Sequence, residues 1–276
     1  MAAPARDDDH DYDWLVVGSG FGGSVAAHRL TQKGYRVAVL ESGRRYADHE
    51  FPTSTWDVRR YFFAPRMGLH GIFRLSLFKD VSVVSGAGVG GGSLGYANTL
   101  YRARPRFFQD PQWAGLEDDW EAALRPHFDE AERMLGVTTV ATDDPADELL
   151  RDYGRHVGAD ESYAKTRVGV FFGPAGETVA DPFFDGAGPA RTGCIACGRC
   201  MVGCPVGAKN TLVKNYLWLA EHGGCRVIAE REVVDVRPLD GAGGATGYAV
   251  TTERTGAWLR KDRRTTTARN VVLATG

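Results

Sequence analysis

Two sets of residues in this 276-residue chain have types and spacings suited to chemistry. The first is Gly18-Ser-Gly-Phe-Gly-Gly23, which follows the apolar run Trp14–Val17 and opens the helix-like segment Ser24–Leu30. In a strand, glycine turn and helix of this order, Gly18 makes the tight turn, Gly20 lets backbone approach a pyrophosphate, and Gly23 permits close helix packing. The free N–H groups at the helix start then hold the anion, with Ser19, Phe21 and Gly22 forming the rest of the turn. A second strand, Arg36–Leu40, ends at Glu41, where a carboxylate accepts hydrogen bonds from a ribose diol and repels a 2′-phosphate, which disfavours NADP. The second set is Cys194-x-x-Cys197-x-x-Cys200-x-x-x-Cys204-Pro205, the spacing with which closely placed thiolates wrap an iron–sulfur cluster. Zinc, or reduced thiols that only pack, are the other readings of that run, and Cys225 reads as a small buried hydrophobe.

A second glycine turn, Gly86–Ser93, follows the strand-like Val81–Ser85 and offers further bare backbone donors to an anion or a planar ring. Around these turns the periodicity predicts a first βαβ unit over 13–43 and an irregular or short helical aromatic stretch over 56–78. An amphipathic helix is expected over 118–135, with Trp120, Leu124, Phe128, Ala131 and Leu135 on its core face and Pro126 kinking or breaking it. Residues 137–192 read as loop, and 211–221 as a helix closed by Gly223 and Gly224. Segments 226–229, 232–237, 248–253 and 257–260 read as an antiparallel meander, and Val271–Gly276 as a buried strand entering a small-residue turn. Such a strand normally leads into a packed helix, so the chain is expected to be the N-terminal part of something longer.

Composition is ordinary for a globular protein, 43% hydrophobic and 25% charged. A net charge of −2 gives no basic footprint for nucleic acid or an anionic membrane. The acidic start, Met1–His10, has no apolar signal region, and no run reaches the length of a membrane span, so the chain reads as cytoplasmic and its cysteines as reduced. None of the seven histidines has a catalytic partner at a recognisable spacing.

Three elements in order, Gly18-x-Gly-x-x-Gly23 with Glu41, Gly88–Leu94 with Asn98, and Val271–Gly276, resemble the FAD-binding half of the glucose–methanol–choline (GMC) oxidoreductases. The words Ser85–Leu94, Tyr96–Tyr101, Asp110–Trp113, Ala131–Val137 and Gly207–Leu212 resemble the actinobacterial cholesterol-oxidase-like branch. The resemblance implies an α/β fold: a Rossmann-type FAD-binding domain over 13–110 and 205–276 with an antiparallel meander, and a cap or insert over 111–204 carrying the cysteines. It implies that Gly18, Gly20, Gly23 and Glu41 bind the ADP moiety, that Gly90, Gly91, Gly92, Ser93 and Asn98 lie against pyrophosphate and flavin, and that Val233 or Val234 meets the adenine. The implied activity is oxidation of a CH–OH group of a sterol or other bulky alcohol by hydride transfer to FAD, with a histidine base beyond residue 276. The alternatives are a flavin and iron–sulfur electron-transfer module serving a separate catalytic polypeptide, or an inactive truncated product.

Overall fold

The computed structural model describes residues 9–241 and 243–275. Met1–Asp8, Ala242 of the 241–247 turn and Gly276 of the terminal strand and turn lie outside the described residues. The chain opens with β1 (Tyr12–Val17), α1 (Phe21–Gln32) and β2 (Val37–Leu40), the βαβ unit that the sequence predicts. All four residues of β2 are buried, as expected for a central parallel strand covered on both faces. Val16, Val37 and Val39 face Ala27 of α1 and Ala220 on one side of the sheet, and Leu15, Ala38 and Leu40 pack with Val250 and Ala268 on the other.

Between β2 and the second glycine turn lies a hairpin of β3 (Phe73–Leu77) and β4 (Ser82–Gly86). The expected strand before that turn is therefore present, but it pairs within this hairpin and not with the main sheet. The stretch read as irregular contains the partner strand β3, whose Phe-Arg-Leu-Ser-Leu alternation has the two-residue period of a strand. Two helices follow, α2 (Trp120–Met134) and α3 (Pro145–His156). Helix α2 continues through Pro126, and of its expected core stripe only Leu135, just past its end, is buried, while Trp120, Leu124, Phe128 and Ala131 are half-buried. Helix α3 replaces part of the expected loop: Asp144 accepts from the N–H groups of Ala146 and Asp147 while Asp147 accepts from Asp144 N–H, a capping box built on aspartates.

The expected helix over 211–221 divides into a 3-10 turn, Leu212–Lys214, and α4 (Tyr216–His222), because Asn215 leaves helical geometry. Then come β5 (Arg226–Ile228), β6 (Arg231–Pro238), β7 (Tyr248–Arg254) and β8 (Arg264–Leu273). The six-stranded sheet has the order β5-β2-β1-β8-β7-β6. Three pairings in it are parallel, β5 with β2, β2 with β1 and β1 with β8, while β6, β7 and β8 form an antiparallel meander.

Two sequence expectations fail here. Residues 226–229 leave the meander and pair in parallel with β2, because the turn at Gly223 and Gly224 returns the chain to the far edge of the βαβ unit. Residues 257–260 form a bend, and the third meander strand is instead the first half of β8. That strand is longer than the expected 271–276 segment: it pairs with β7 up to Ala268 and with β1 from Ala268 onward, joining the two halves of the sheet. Among the described residues no helix is long and apolar enough to cross a membrane.

Candidate dinucleotide site

The strand ends create the site. Gly18 N–H donates to Leu40 O at 2.8 Å and Ala274 N–H to Val17 O at 2.9 Å, so the first glycine turn emerges between the carboxyl ends of β2 and β8. Gly18 has φ of +98°, and a Cβ there would lie 2.6 Å from Ala274 O, so only glycine fits. A Cβ on Gly23 would lie 1.9 Å from Gly18 O, which is how closely α1 packs on the turn.

The second glycine turn lies directly against the first. A Cβ on Gly91 would sit 2.7 Å from Gly20 Cα, and one on Gly43 would sit 2.2 Å from Gly88 N. Ser19, fully buried, joins them: its hydroxyl donates to Glu41 Oε2 at 2.7 Å and accepts from Gly90 N–H at 3.0 Å, with Gly88 O at 3.3 Å. Glu41 also accepts from Ser19 N–H at 3.1 Å on Oε2 and from Gly43 N–H at 2.8 Å on Oε1. The three parts that the sequence singled out, both turns and the strand-end acid, thus meet in one hydrogen-bonded clasp.

Beside this clasp lies a cleft of about 640 Å³. Gly18, Ser19, Gly20, Phe21, Gly22 and Glu41 line it, together with Gly91, Gly92 and Val233. Gly20 has an ordinary φ of −67° and a Cβ there meets nothing within 4 Å; Gly22 is equally open. Neither protein neighbours nor backbone strain call for glycine at these two positions, so the space they leave belongs to the cleft. Helix α1 starts there with no side-chain cap and no acidic residue in its first turn, leaving N–H groups turned toward an anion.

The other expected contacts fall elsewhere. Gly90 and Ser93 sit behind the turn, where the buried Ser93 hydroxyl donates to Gly90 O at 2.7 Å and accepts from Leu212 N–H at 3.0 Å. Val234 lies in a bulge of β6 and stays exposed, outside the cleft lining. Asn98 is buried, at φ of +66°, beside Cys200 and away from the cleft.

A family model for an NAD(P)-binding Rossmann-like domain matches residues 16–49, the βαβ unit with both Gly18 and Glu41. A cholesterol oxidase of Mycobacterium tuberculosis is 53% identical over 272 residues, covering 96% of this chain and 46% of the relative. A cholesterol oxidase of Acinetobacter baumannii is 48% identical over 271 residues, covering 96% and 49%. An uncharacterised GMC-type oxidoreductase of Mycobacterium tuberculosis is 31% identical over 244 residues, covering 85% and 33%. The chain is similar along nearly its whole length to these cholesterol oxidases and, more distantly, to the GMC-type oxidoreductase. It spans about half the length of the cholesterol oxidases it matches. The crystal structure of pyridoxine 4-oxidase from Mesorbium loti shares the fold, with a TM-score of 0.54 at 15% identity over 96% of this chain and 49% of that one.

The cysteine run does not come together as the sequence predicts. The four thiols line one cavity of about 280 Å³, yet among the described residues no three Cys, His, Asp or Glu side chains come together as a metal-holding group. The loop spreads them in depth: Cys197 is exposed at the rim, Cys194 and Cys200 are half-buried, and Cys204 is buried. Cys194 Sγ accepts from Ala196 N–H at 3.4 Å. Burial pushes the Cys200 thiol up, opposed by the Asn98 side chain and the Lys209 ammonium. The iron–sulfur expectation therefore gains no support from the arrangement of the sulfurs.

Sequence reasoning missed Lys209 and Arg74. Lys209, fully buried, donates to Leu94 O and Tyr96 O at 2.9 Å and to Cys200 O at 2.8 Å, fastening the cysteine loop to the exit of the second glycine turn. Burial brings its ammonium down to about 8. Nothing in the local sequence separates this lysine from a surface one. Arg74 lines the cleft from β3, and the alternation of that strand is the signal that places it.

Proposed function

We propose that this chain binds FAD in the cleft and supplies the dinucleotide-binding part of an enzyme that oxidises the CH–OH group of an alcohol, a sterol or another bulky alcohol. The observation that carries the reading is the clasp of Ser19, Glu41 and the two glycine turns beside a cleft lined by bare backbone. The chemical class follows from the cholesterol oxidases that match along nearly the whole chain. Bound there, FAD would supply the acceptor for hydride from the carbinol carbon.

The chain's own residues do the holding. The uncapped start of α1 and the open backbone at Gly20 and Gly22 take the diphosphate. Glu41 keeps its backbone partners and still has acceptor capacity for a ribose hydroxyl, since each carboxylate oxygen has two lone pairs. Val233 offers an apolar wall to the adenine. No histidine lines the cleft, so these residues bind and orient while the hydroxyl proton is taken elsewhere.

Titration of the purified chain with FAD, followed by flavin absorbance and fluorescence quenching, tests the reading. Saturable one-to-one binding is expected, abolished in Gly20→Val, whose branched side chain fills the cleft. Absence of flavin binding by the wild type overturns the proposal.

A further inference from the structure

Four charged residues line the cleft: Glu41, Glu232, Arg74 and Arg231. A diphosphate entering between two carboxylates needs a cation with donors to spare. Arg231 has little to offer, because its guanidinium is engaged at 3.1 Å and 2.8 Å by Thr252 Oγ1, at 3.1 Å by Thr252 O, and at 3.0 Å and 2.8 Å by Asp262, which leaves a single Nη1 N–H.

Arg74 differs in every respect. It is exposed, its one side-chain hydrogen bond among the described residues is a long contact of Nη2 to Ser42 Oγ at 3.4 Å, and its guanidinium lies over the Phe63 ring at 5.1 Å. Its place in the fold is set by the hairpin. Arg74 pairs with Ser85 across the β3–β4 ladder, and the next residue, Gly86, touches the second glycine turn so closely that a Cβ there would lie 2.5 Å from Gly91 and Gly92. The side chain therefore lines the cleft from a strand seated on the second turn and reaches Ser42, the neighbour of Glu41. A planar guanidinium with free N–H pairs matches phosphate oxygens two at a time.

We propose that Arg74 is a dinucleotide-binding residue that closes the cleft over the diphosphate. This rests on the reading of the cleft as a dinucleotide site. The β3–β4 hairpin then carries the counter-charge of the cleft, with Ser42 and Phe63 holding the guanidinium before the ligand arrives.

Wild type, R74A and R74K would be titrated calorimetrically with FAD, ADP and adenosine at several salt concentrations. Loss of a charge-assisted pair corresponds to roughly 10- to 100-fold. R74A is therefore expected to weaken FAD and ADP by about that factor and to flatten the salt dependence, with adenosine unchanged and R74K intermediate. Unchanged ADP affinity in R74A overturns the inference, as does an equal loss for adenosine, which would make Arg74 a shaper of the cleft and not a phosphate contact. Failure of the wild type to bind both FAD and ADP overturns the dinucleotide reading itself, and is distinct from a normal wild type with an indifferent R74A. Thermal unfolding of both variants should match wild type, since the side chain is exposed.

Discussion

Replacing Ser19 by alanine tests the clasp at its centre. The hydroxyl is fully buried, donates to Glu41 Oε2 at 2.7 Å and accepts from Gly90 N–H at 3.0 Å. Alanine removes a bond to a charged acceptor, about 1.5–3 kcal/mol, and leaves the Gly90 donor buried without a partner, a further 1–3 kcal/mol or so. Glu41 Oε2 keeps Ser19 N–H at 3.1 Å, and the two losses share one site, so the sum overstates the effect. A destabilisation of about 2–4 kcal/mol is expected. The assay is urea unfolding by far-ultraviolet circular dichroism of wild type, S19A, E41Q and the double variant. A coupling energy of roughly 1–2 kcal/mol is expected between the two positions, because E41Q retains the shape of the acceptor and loses its charge. The same four proteins titrated with FAD should show S19A binding about tenfold more weakly, the two turns no longer being held in register. A loss in S19A below about 0.5 kcal/mol, or strict additivity in the cycle, would refute the idea that this hydroxyl holds the two turns together.

Gly23→Ala should prevent stable folding, since its Cβ would lie 1.9 Å from Gly18 O, whereas Gly20→Ala, with nothing within 4 Å, should cost under about 1 kcal/mol in unfolding assays yet weaken FAD binding. The Glu132 carboxyl is held at about 2, first by Arg102 and then by Arg167. Its contribution is therefore present above the ordinary 4.5 and lost as the pH falls towards 2; with the side chain in contact with water, it is about 1 kcal/mol. Unfolding of wild type and E132Q compared at pH 6 and pH 2 should show a gap that closes on acidification, and a constant gap would exclude this origin. Thiol labelling mapped by mass spectrometry should find exposed Cys197 modified first and Cys225 last, because Cys225 is buried and burial pushes its thiol up to about 12. Early labelling of Cys225 in native protein would contradict its packing against α1.

The residues that work through contiguous sequence are legible from the order of amino acids alone. Trp14–Val17, the glycine turn, α1 and Val37–Leu40 form one βαβ unit because apolar runs, a turn and a helix face follow each other within about thirty residues, where pattern and fold coincide. What escapes such a reading depends on distant partners. Ser93 belongs to the second glycine turn in sequence, yet its hydroxyl serves Leu212, 119 positions away. Asn98 is drawn towards Cys200 by a loop whose course no local pattern encodes. The cysteines have the spacing of a ligand set, but spacing fixes only how far apart the thiols lie along the chain, and the loop distributes them from surface to core. Helix α3 hides behind Asp-Pro-Ala-Asp, a capping box written with aspartate where glutamate is the usual signal.

The misplaced strand β5 shows why the site needs the whole sheet. Read as the start of a meander, Arg226–Ile228 has no bearing on Glu41. Paired in parallel with β2, it places Ile228 O where it accepts Glu41 N–H at 3.0 Å, and the chain that turns back into β6 donates Arg231 N–H to Glu41 O at 2.9 Å and Glu230 N–H to Gly43 O at 3.0 Å. Glu230 makes that turn at φ of +57°, a strained conformation for a non-glycine residue. The backbone of the strand-end acid is thus fixed by two bonds from the segment 228–231 and that of Gly43 by a third, while the Glu41 side chain is held by Ser19 and Gly43. Because β6 begins at the same place, Val233 reaches the cleft two residues later, so one crossover sets both the carboxylate and the apolar wall of the proposed adenosine pocket. Relief of the Glu230 strain by glycine, partly offset by the greater freedom of glycine in the unfolded chain, should therefore change stability by less than about 1 kcal/mol without moving FAD affinity, because the three backbone bonds remain. A Glu230→Gly variant that lost FAD binding while keeping its stability would show that the turn does more than carry the chain from β5 to β6.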